Sequence, residues 1–136
     1  MNAYRQGSIN FLPPQVYELS RLANFRKLTE AIDYMHARAN QADYSVERML
    51  GICYKLPEAM LVLMPGDDCY PSDGSFATPI LTSNRTLKDF DSPVQNRLIM
   101  MLEGKNRTWQ VQYKNKSDKD KNGHVRIQPL TDGWEK

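Results

Sequence analysis

Residues 59–64, Ala-Met-Leu-Val-Leu-Met, form an unbroken apolar run that stops at Pro65-Gly66-Asp67-Asp68. The run has the length of a strand, and the tetrad after it is a strong turn signal. It also marks a change of period. Before it the apolar residues recur at helical spacing; after it they recur as short runs and as alternation.

On the helical side, the opening residues 1–5 read as the end of a helix, with Gly7 suited to its C-cap and residues 8–11 as a short extended run. Pro13-Pro14 then starts a second helix, since proline is tolerated in a first turn whose backbone N–H groups have no partner. Val16, Leu19, Leu22 and Ala23 are its expected apolar stripe, with Glu18 and Arg21 facing away. A third helical pattern covers residues 27–39, where Leu28, Ala31, Ile32 and Met35 share a face opposite Glu30, Asp33 and Arg38. Residues 44–54 fit neither period, and Pro57 closes them.

Beyond the turn, residues 69–93 are rich in Pro, Ser, Asp and Gly and read as a long loop. Residues 98–102 are a second apolar run, and Gly104-Lys105-Asn106 is a turn. Trp109, Val111 and Tyr113 alternate with Gln110, Gln112 and Lys114 as in a half-buried strand. Residues 115–123 are a polar loop, and Val125 with Ile127 suggests a last short strand. Helices come first and an antiparallel β meander follows; no internal repeat is visible.

A chain of 136 residues fits one modest domain or a piece of one, and its 40% apolar and 25% charged residues are those of a globular chain. The net charge of +2 is too small to point to a nucleic-acid or membrane partner. Its one local cluster, residues 114–121, is interleaved with Asp118 and Asp120. Cys53 and Cys69 give neither a disulfide framework nor a CxxC pair. No apolar stretch of signal-peptide or membrane-spanning length is present, so an intracellular chain is expected and the sequons at Asn84, Asn106 and Asn115 are read as accidental.

The chemistry-bearing residue types do not cluster. Metal-assisted hydrolysis of a diphosphate needs several carboxylates on one helix face. Glu18, Glu30, Glu47, Glu58, Glu103 and Glu135 are each isolated, so no local pair shares an ion. His36, Cys53, Cys69 and His124 are the only soft zinc ligands and lack finger-like spacing. The blander reading is a surface histidine, a buried thiol, a loop thiol and a turn histidine. No Gly-x-Ser-x-Gly elbow and no phosphate-cradling glycine loop occur. Residues 118–125 reproduce the first half of an EF-hand loop, but its closing position is Pro129 rather than a bidentate Glu, so a water-facing hairpin loop is expected. No residue is assigned a catalytic, cofactor-binding or metal-binding role.

One stretch is more specific. Gly7-x-Ile9-x-x-Leu12-Pro13-Pro14-Gln15-x-Tyr17-Glu18-Leu19-x-Arg21-Leu22-Ala23-Asn24-Phe25 resembles the region that follows the Nudix box in Nudix hydrolases. The nearest group is the coenzyme A and acyl-coenzyme A diphosphatases of the nucleoside diphosphate-linked moiety X motif 19 type. The run to Met64 with Pro65-Gly66-Asp67-Asp68-x-Tyr70 is similar to that group's strand and its "PGDE-x-Y" turn, and Arg97-Leu98-Ile99 fits more loosely. Asp68 departs from the usual Glu, residues 44–55 are longer than the pattern, and the chain closes Trp134-Glu135-Lys136 without a peroxisomal Ser-Lys-Leu-like end.

The Nudix box itself, a Gly followed by an Arg-Glu-x-x-Glu-Glu core, does not occur in these residues. In the family it lies upstream, and its glutamates hold the magnesium or manganese that activates water. The resemblance therefore implies a C-terminal, non-catalytic portion of a larger hydrolase. It implies an α/β class, as an α+β piece of the Nudix α/β/α sandwich. Residues 1–40 would close the Nudix domain, and residues 41–136 would be a C-terminal extension carrying the meander. It further implies that coenzyme A or acyl-coenzyme A and Mg or Mn belong to the intact parent, in a mitochondrial or peroxisomal compartment. If the second helix evolved to pack on a sheet outside this chain, Leu12, Val16, Leu19 and Leu22 should be partly exposed and could drive self-association. A stand-alone interaction domain that binds a partner through an exposed sheet is the competing expectation.

Overall fold

The computed structural model describes residues 2–40, 50–71, 80–104 and 107–114. Along the chain lie α1 (Asn2–Arg5), α2 (Pro13–Leu22), α3 (Leu28–Ala39), β1 (Ile52–Lys55), β2 (Ala59–Leu63), β3 (Ile80–Thr82), a short 3-10 helix (Leu87–Phe90), β4 (Gln95–Met101) and β5 (Gln110–Lys114). The strands form one sheet in the order β3-β1-β2-β4-β5. The expected α+β arrangement, helices followed by a sheet, is the one observed. No helix among the described residues is long and apolar enough to cross a membrane.

Four strands, β1, β2, β4 and β5, run antiparallel to their neighbours, with Leu61 opposite Ile99 and Leu98 opposite Val111. The sheet is mixed, however, because β3 adds to β1 in parallel, with Cys53 opposite Ile80. β3 and the 3-10 helix lie inside the stretch read as a loop. Three residues are too few to show an alternation, and β3 carries mixed exposure. β1 likewise falls at the end of the stretch that fitted neither period. The loop at residues 115–123, with its EF-hand-like half, and the strand expected near Val125 and Ile127 lie outside the described residues, as do His124 and Pro129.

The central strand is apolar on both faces because both faces are covered. Val62 and Met64 join Leu98 and Val111 in a cluster with Tyr4, Val16 and Tyr17. Leu61 and Leu63 point the other way, into a cluster with Leu56, Ala59, Phe90 and Ile99. α1 and α2 roof the first face; the 3-10 helix, through Phe90, closes the second. Period-two geometry alone then gives the continuous apolar reading of residues 59–64.

Helix ends follow the sequence signals. Gly7 has φ 73°, and the bonds Gly7 N–H to Tyr4 C=O and Ser8 N–H to Ala3 C=O form a Schellman motif that ends α1. α2 begins at Pro13, and the backbone N–H of Leu12 donates to Gln15 Oε1 at 2.9 Å. Leu12 is the N-cap residue, extended and 69% exposed, and offers no acceptor. Leu12→Asp should therefore stabilise the chain by about 0.5–2 kcal/mol, by accepting the free N–H of Gln15. Thermal melting checks this; an unchanged or lower midpoint would show that α2 does not need the cap.

The face that α2 buries differs from the expected stripe. Val16 (3% exposed), Tyr17 and Ser20 point inward, Leu19 is half-buried, and Leu22 is 55% exposed. Val16 was expected to lose its partner with the others, but it is buried against this chain's own sheet. The reason lies in Tyr17, whose hydroxyl donates to Asn96 at the start of β4; Ser20, on the same face, is satisfied within the helix by Tyr17 C=O and can be buried with it. Glu18 does face away and pairs with Arg21 at 3.0 Å, but the Arg21 side chain is only 20% exposed and lies over the Tyr17 ring at 5.9 Å. α3 buries no residue, and its Leu28, Ile32 and Met35 are exposed.

Candidate functional site

The stretches that carry the sequence resemblance meet at one buried polar cluster. Its first part is the turn after β2. Asp67 N–H donates to Met64 C=O at 3.1 Å, and Gly66, with φ 92°, takes the position that only glycine occupies easily in a type II turn. The turn aims Asp67 back under the sheet.

The second part is the start of β4. Gln95, Asn96 and Arg97 are all buried although all are polar. Arg97 donates from Nε to Asp67 Oδ2 at 2.7 Å and from Nη2 to Asp67 Oδ1 at 2.6 Å, a bidentate pair. Its Nη1 donates to Phe90 C=O at 2.6 Å and its Nη2 also to Ser92 Oγ at 3.1 Å. Asp67 accepts two further bonds, from the N–H of Asn96 at 2.8 Å and of Cys69 at 2.9 Å. A buried charge pair is tolerated only when its remaining donors and acceptors are also satisfied. Here they are.

The third part is α2. Tyr17 Oη donates to Asn96 Oδ1 at 3.0 Å, and Asn96 Nδ2 donates to Pro65 C=O at 2.8 Å. Asn96 thus ties helix, turn and strand together. Asp68 pairs with Val94 in both directions: its N–H donates to Val94 C=O at 3.2 Å, and its Oδ2 accepts from Val94 N–H at 3.1 Å. Tyr70, the last residue of the turn motif, donates to Leu50 C=O at 2.9 Å. Every polar side chain named in the turn is committed to holding the fold. The sequence signal for this cluster was the resemblance; the burial of Gln95, Asn96 and Arg97 had none, since polar residues read as surface.

The open part of the molecule lies across the first sheet face. A cleft of about 440 Å³ separates α1 and the segment after it from the start of β5. Tyr4, Phe11 and Trp109 form its aromatic side, with Met100 beside them. The Tyr4 and Phe11 rings lie 5.3 Å apart at 33°. Tyr4 Oη donates to Trp109 C=O at 3.3 Å and accepts a short bond from Trp109 N–H. Burial raises the Tyr4 phenol's pKa, and the bond to the Trp109 backbone offsets part of that rise. Gln6, Asn10, Arg107 and Thr108 supply the polar side, and no acidic side chain lines the cleft among the described residues.

Neither region gathers metal ligands. Among the described residues no group of three His, Cys, Asp or Glu could hold an ion. His36 is exposed on α3, while Cys53 on β1 and Cys69 in the turn after β2 are free and half-buried. Burial raises the pKa of the Cys53 thiol, which keeps it protonated.

No family model and no solved structure matches the chain. It is similar to the acyl-coenzyme A diphosphatase NUDT19 of Homo sapiens, at 32% identity over 77 residues, covering 57% of this chain and 20% of that protein. The same-named proteins of Xenopus laevis (29% over 89 residues; 63% and 23%) and Gallus gallus (33% over 73 residues; 54% and 18%) are similar over comparable lengths. The match thus spans about a fifth of the length of these curated relatives. The resemblance to these diphosphatases is thus a partial similarity, over somewhat more than half of this chain.

Proposed function

We propose that this chain serves as the portion of an acyl-coenzyme A diphosphatase that follows the catalytic box, and that it does not hydrolyse substrate by itself. The observation that carries this reading is the convergence of the two resembling stretches. Tyr17, on the Pro-Pro helix, and Pro65, at the turn, hold the same side chain, Asn96. Two stretches similar to one family, far apart in sequence, are one packed unit in space.

In this reading residues 1–40 close the Nudix domain and residues 41–136 extend it. Cleavage of coenzyme A or acyl-coenzyme A, with Mg or Mn, belongs only to the longer polypeptide, whose clustered glutamates would hold the ion and activate the attacking water. Two of the chain's own buried or half-buried carboxylates are already committed elsewhere. Asp67 is spent on Arg97, and Glu58 accepts the N–H of Leu87 at 2.6 Å.

The test compares two polypeptides with acyl-coenzyme A and Mg²⁺ or Mn²⁺. The 136-residue chain should release no adenosine 3′,5′-bisphosphate above the blank, whereas a longer polypeptide carrying a Nudix box ahead of residue 1 should release it. Metal-dependent release by the short chain overturns its non-catalytic role. A silent longer polypeptide overturns the diphosphatase reading.

One observation favours the second reading, a stand-alone interaction domain. Val16, Tyr17 and Ser20 are buried within this chain, so α2 has a partner here and does not wait for a sheet elsewhere.

A further inference from the structure

We propose that the cleft between α1 and β5 binds the phosphorylated adenosine end of a coenzyme A-type ligand, with the base against Phe11 and Trp109 and a terminal phosphate at Arg107. The inference rests on the proposed function for the identity of the nucleotide, and on the cleft alone for its chemical class.

The aromatic side is fixed before any ligand arrives. Tyr4 is buried at 4% exposure, stacks obliquely on Phe11, and bonds both the N–H and the C=O of Trp109. Its hydroxyl is thereby consumed, and Tyr4 ties Phe11, through its ring, and the Trp109 backbone, through its hydroxyl, into one wall. Phe11 and Trp109 are only partly buried, and both pack against the core cluster beneath. Two half-buried aromatic side chains lining one cleft suit a planar heterocycle, because stacking needs a flat π surface and loses little entropy when the wall is packed in advance.

The polar side suits an anion. Arg107 is exposed at the mouth, and among the described residues it forms no ion pair. Among the described residues no carboxylate lines the cleft beside it, and a guanidinium binds a phosphate monoester through paired N–H donors. Gln6 and Asn10 bring carboxamides, each both donor and acceptor, which match the mixed edge of a purine. The volume, about 440 Å³, falls within the roughly 300–1,000 Å³ of small-ligand sites. An acidic peptide would use the arginine but not the aromatic walls. An apolar acyl chain would leave the carboxamides unpaired.

The experiment titrates the 136-residue chain, followed by amide and indole NMR, with adenosine 3′,5′-bisphosphate, adenosine and phosphopantetheine in parallel. Saturable shifts at Gln6, Gly7, Arg107 and the Trp109 indole are expected with the bisphosphate, weaker ones with adenosine, and none with phosphopantetheine. Arg107→Gln, at an exposed position, should weaken bisphosphate binding about tenfold and leave adenosine binding unchanged. Phe11→Leu should weaken both nucleotides alike. No saturable binding of the bisphosphate, or binding indifferent to Arg107→Gln, overturns the inference even if the longer polypeptide hydrolyses acyl-coenzyme A. Bisphosphate binding that follows Arg107, with no hydrolysis by the longer polypeptide, sustains the cleft and removes the diphosphatase reading alone.

Discussion

Arg97→Ala is expected to unfold most of the chain's tertiary structure at ordinary temperature. Removing one partner of a buried ion pair costs about 3–5 kcal/mol, against a total stability of about 5–15 kcal/mol for a domain. The cost falls at the high end here because Arg97 serves three acceptors. Besides Asp67 it bonds Phe90 C=O and Ser92 Oγ, so its loss leaves a buried carboxylate with two backbone donors and no counter-charge, and the loop before β4 without its donor. Conservative changes should not rescue the site. Asp67→Asn keeps the shape, but its amide nitrogen would face Arg97 and a backbone N–H, donors meeting donors. Arg97→Lys keeps the charge but cannot make the bidentate pair or reach Phe90 at the same time. Urea denaturation of the three variants, with far-UV circular dichroism as readout, decides it. Loss of less than about 1 kcal/mol in Arg97→Ala would mean that the pair is hydrated in solution and that the turn holds by its backbone alone.

That cluster also marks where the sequence stops being legible. The helix starts at Pro13 and Leu28, the strand at residues 59–63 and the alternating strand at residues 110–114 follow from period and capping chemistry, which act locally. β4 was visible only from Leu98, because its first residues, Gln95, Asn96 and Arg97, are polar: Gln95 is satisfied by Asp91 and Ser92 in the loop before it, and Asn96 and Arg97 by Asp67 in the distant turn after β2. Long-range polar pairing leaves no period to read. The same holds for the rotation of α2: its stripe included Leu22, yet Tyr17 goes inside because Asn96 receives its hydroxyl, and Ser20 follows on the same face with its own hydroxyl satisfied inside the helix. β3 was invisible because it is three residues long and owes its conformation to β1. Of the cleft, the aromatic residues stood in plain view, but nothing local places Tyr4 beside Trp109, 105 positions later in the chain.

The rotation of α2 supplies the second large effect. Val16→Asp and Leu22→Lys change apolar residues on one helix, and should have opposite outcomes. Val16 is 3% exposed in the cluster with Val62, Met64 and Leu98, where no cation waits for a carboxylate. An unpaired charge forced into such a site costs on the order of 3–5 kcal/mol, so Val16→Asp should detach α2 or unfold the sheet beneath it. Leu22 is 55% exposed in the last turn of the helix, where a lysine also meets the negative end of the helix dipole. Leu22→Lys should therefore shift stability by no more than about 0.5 kcal/mol, in either direction. It should also reduce self-association, since Leu12, Leu22, Leu28 and Met35 leave a large amount of apolar surface in water. Hydrogen exchange adds the local readout: in the unmodified chain the α2 amides around Val16 and Tyr17 should exchange nearly as slowly as those of β2 and β4, and those of α3 much faster. Both variants destabilising alike would show that Leu22 is covered in solution, which requires a second copy or another partner on that face. Val16→Asp leaving the melting midpoint intact would show that α2 does not rest on this sheet, and would return it to a sheet in the longer polypeptide.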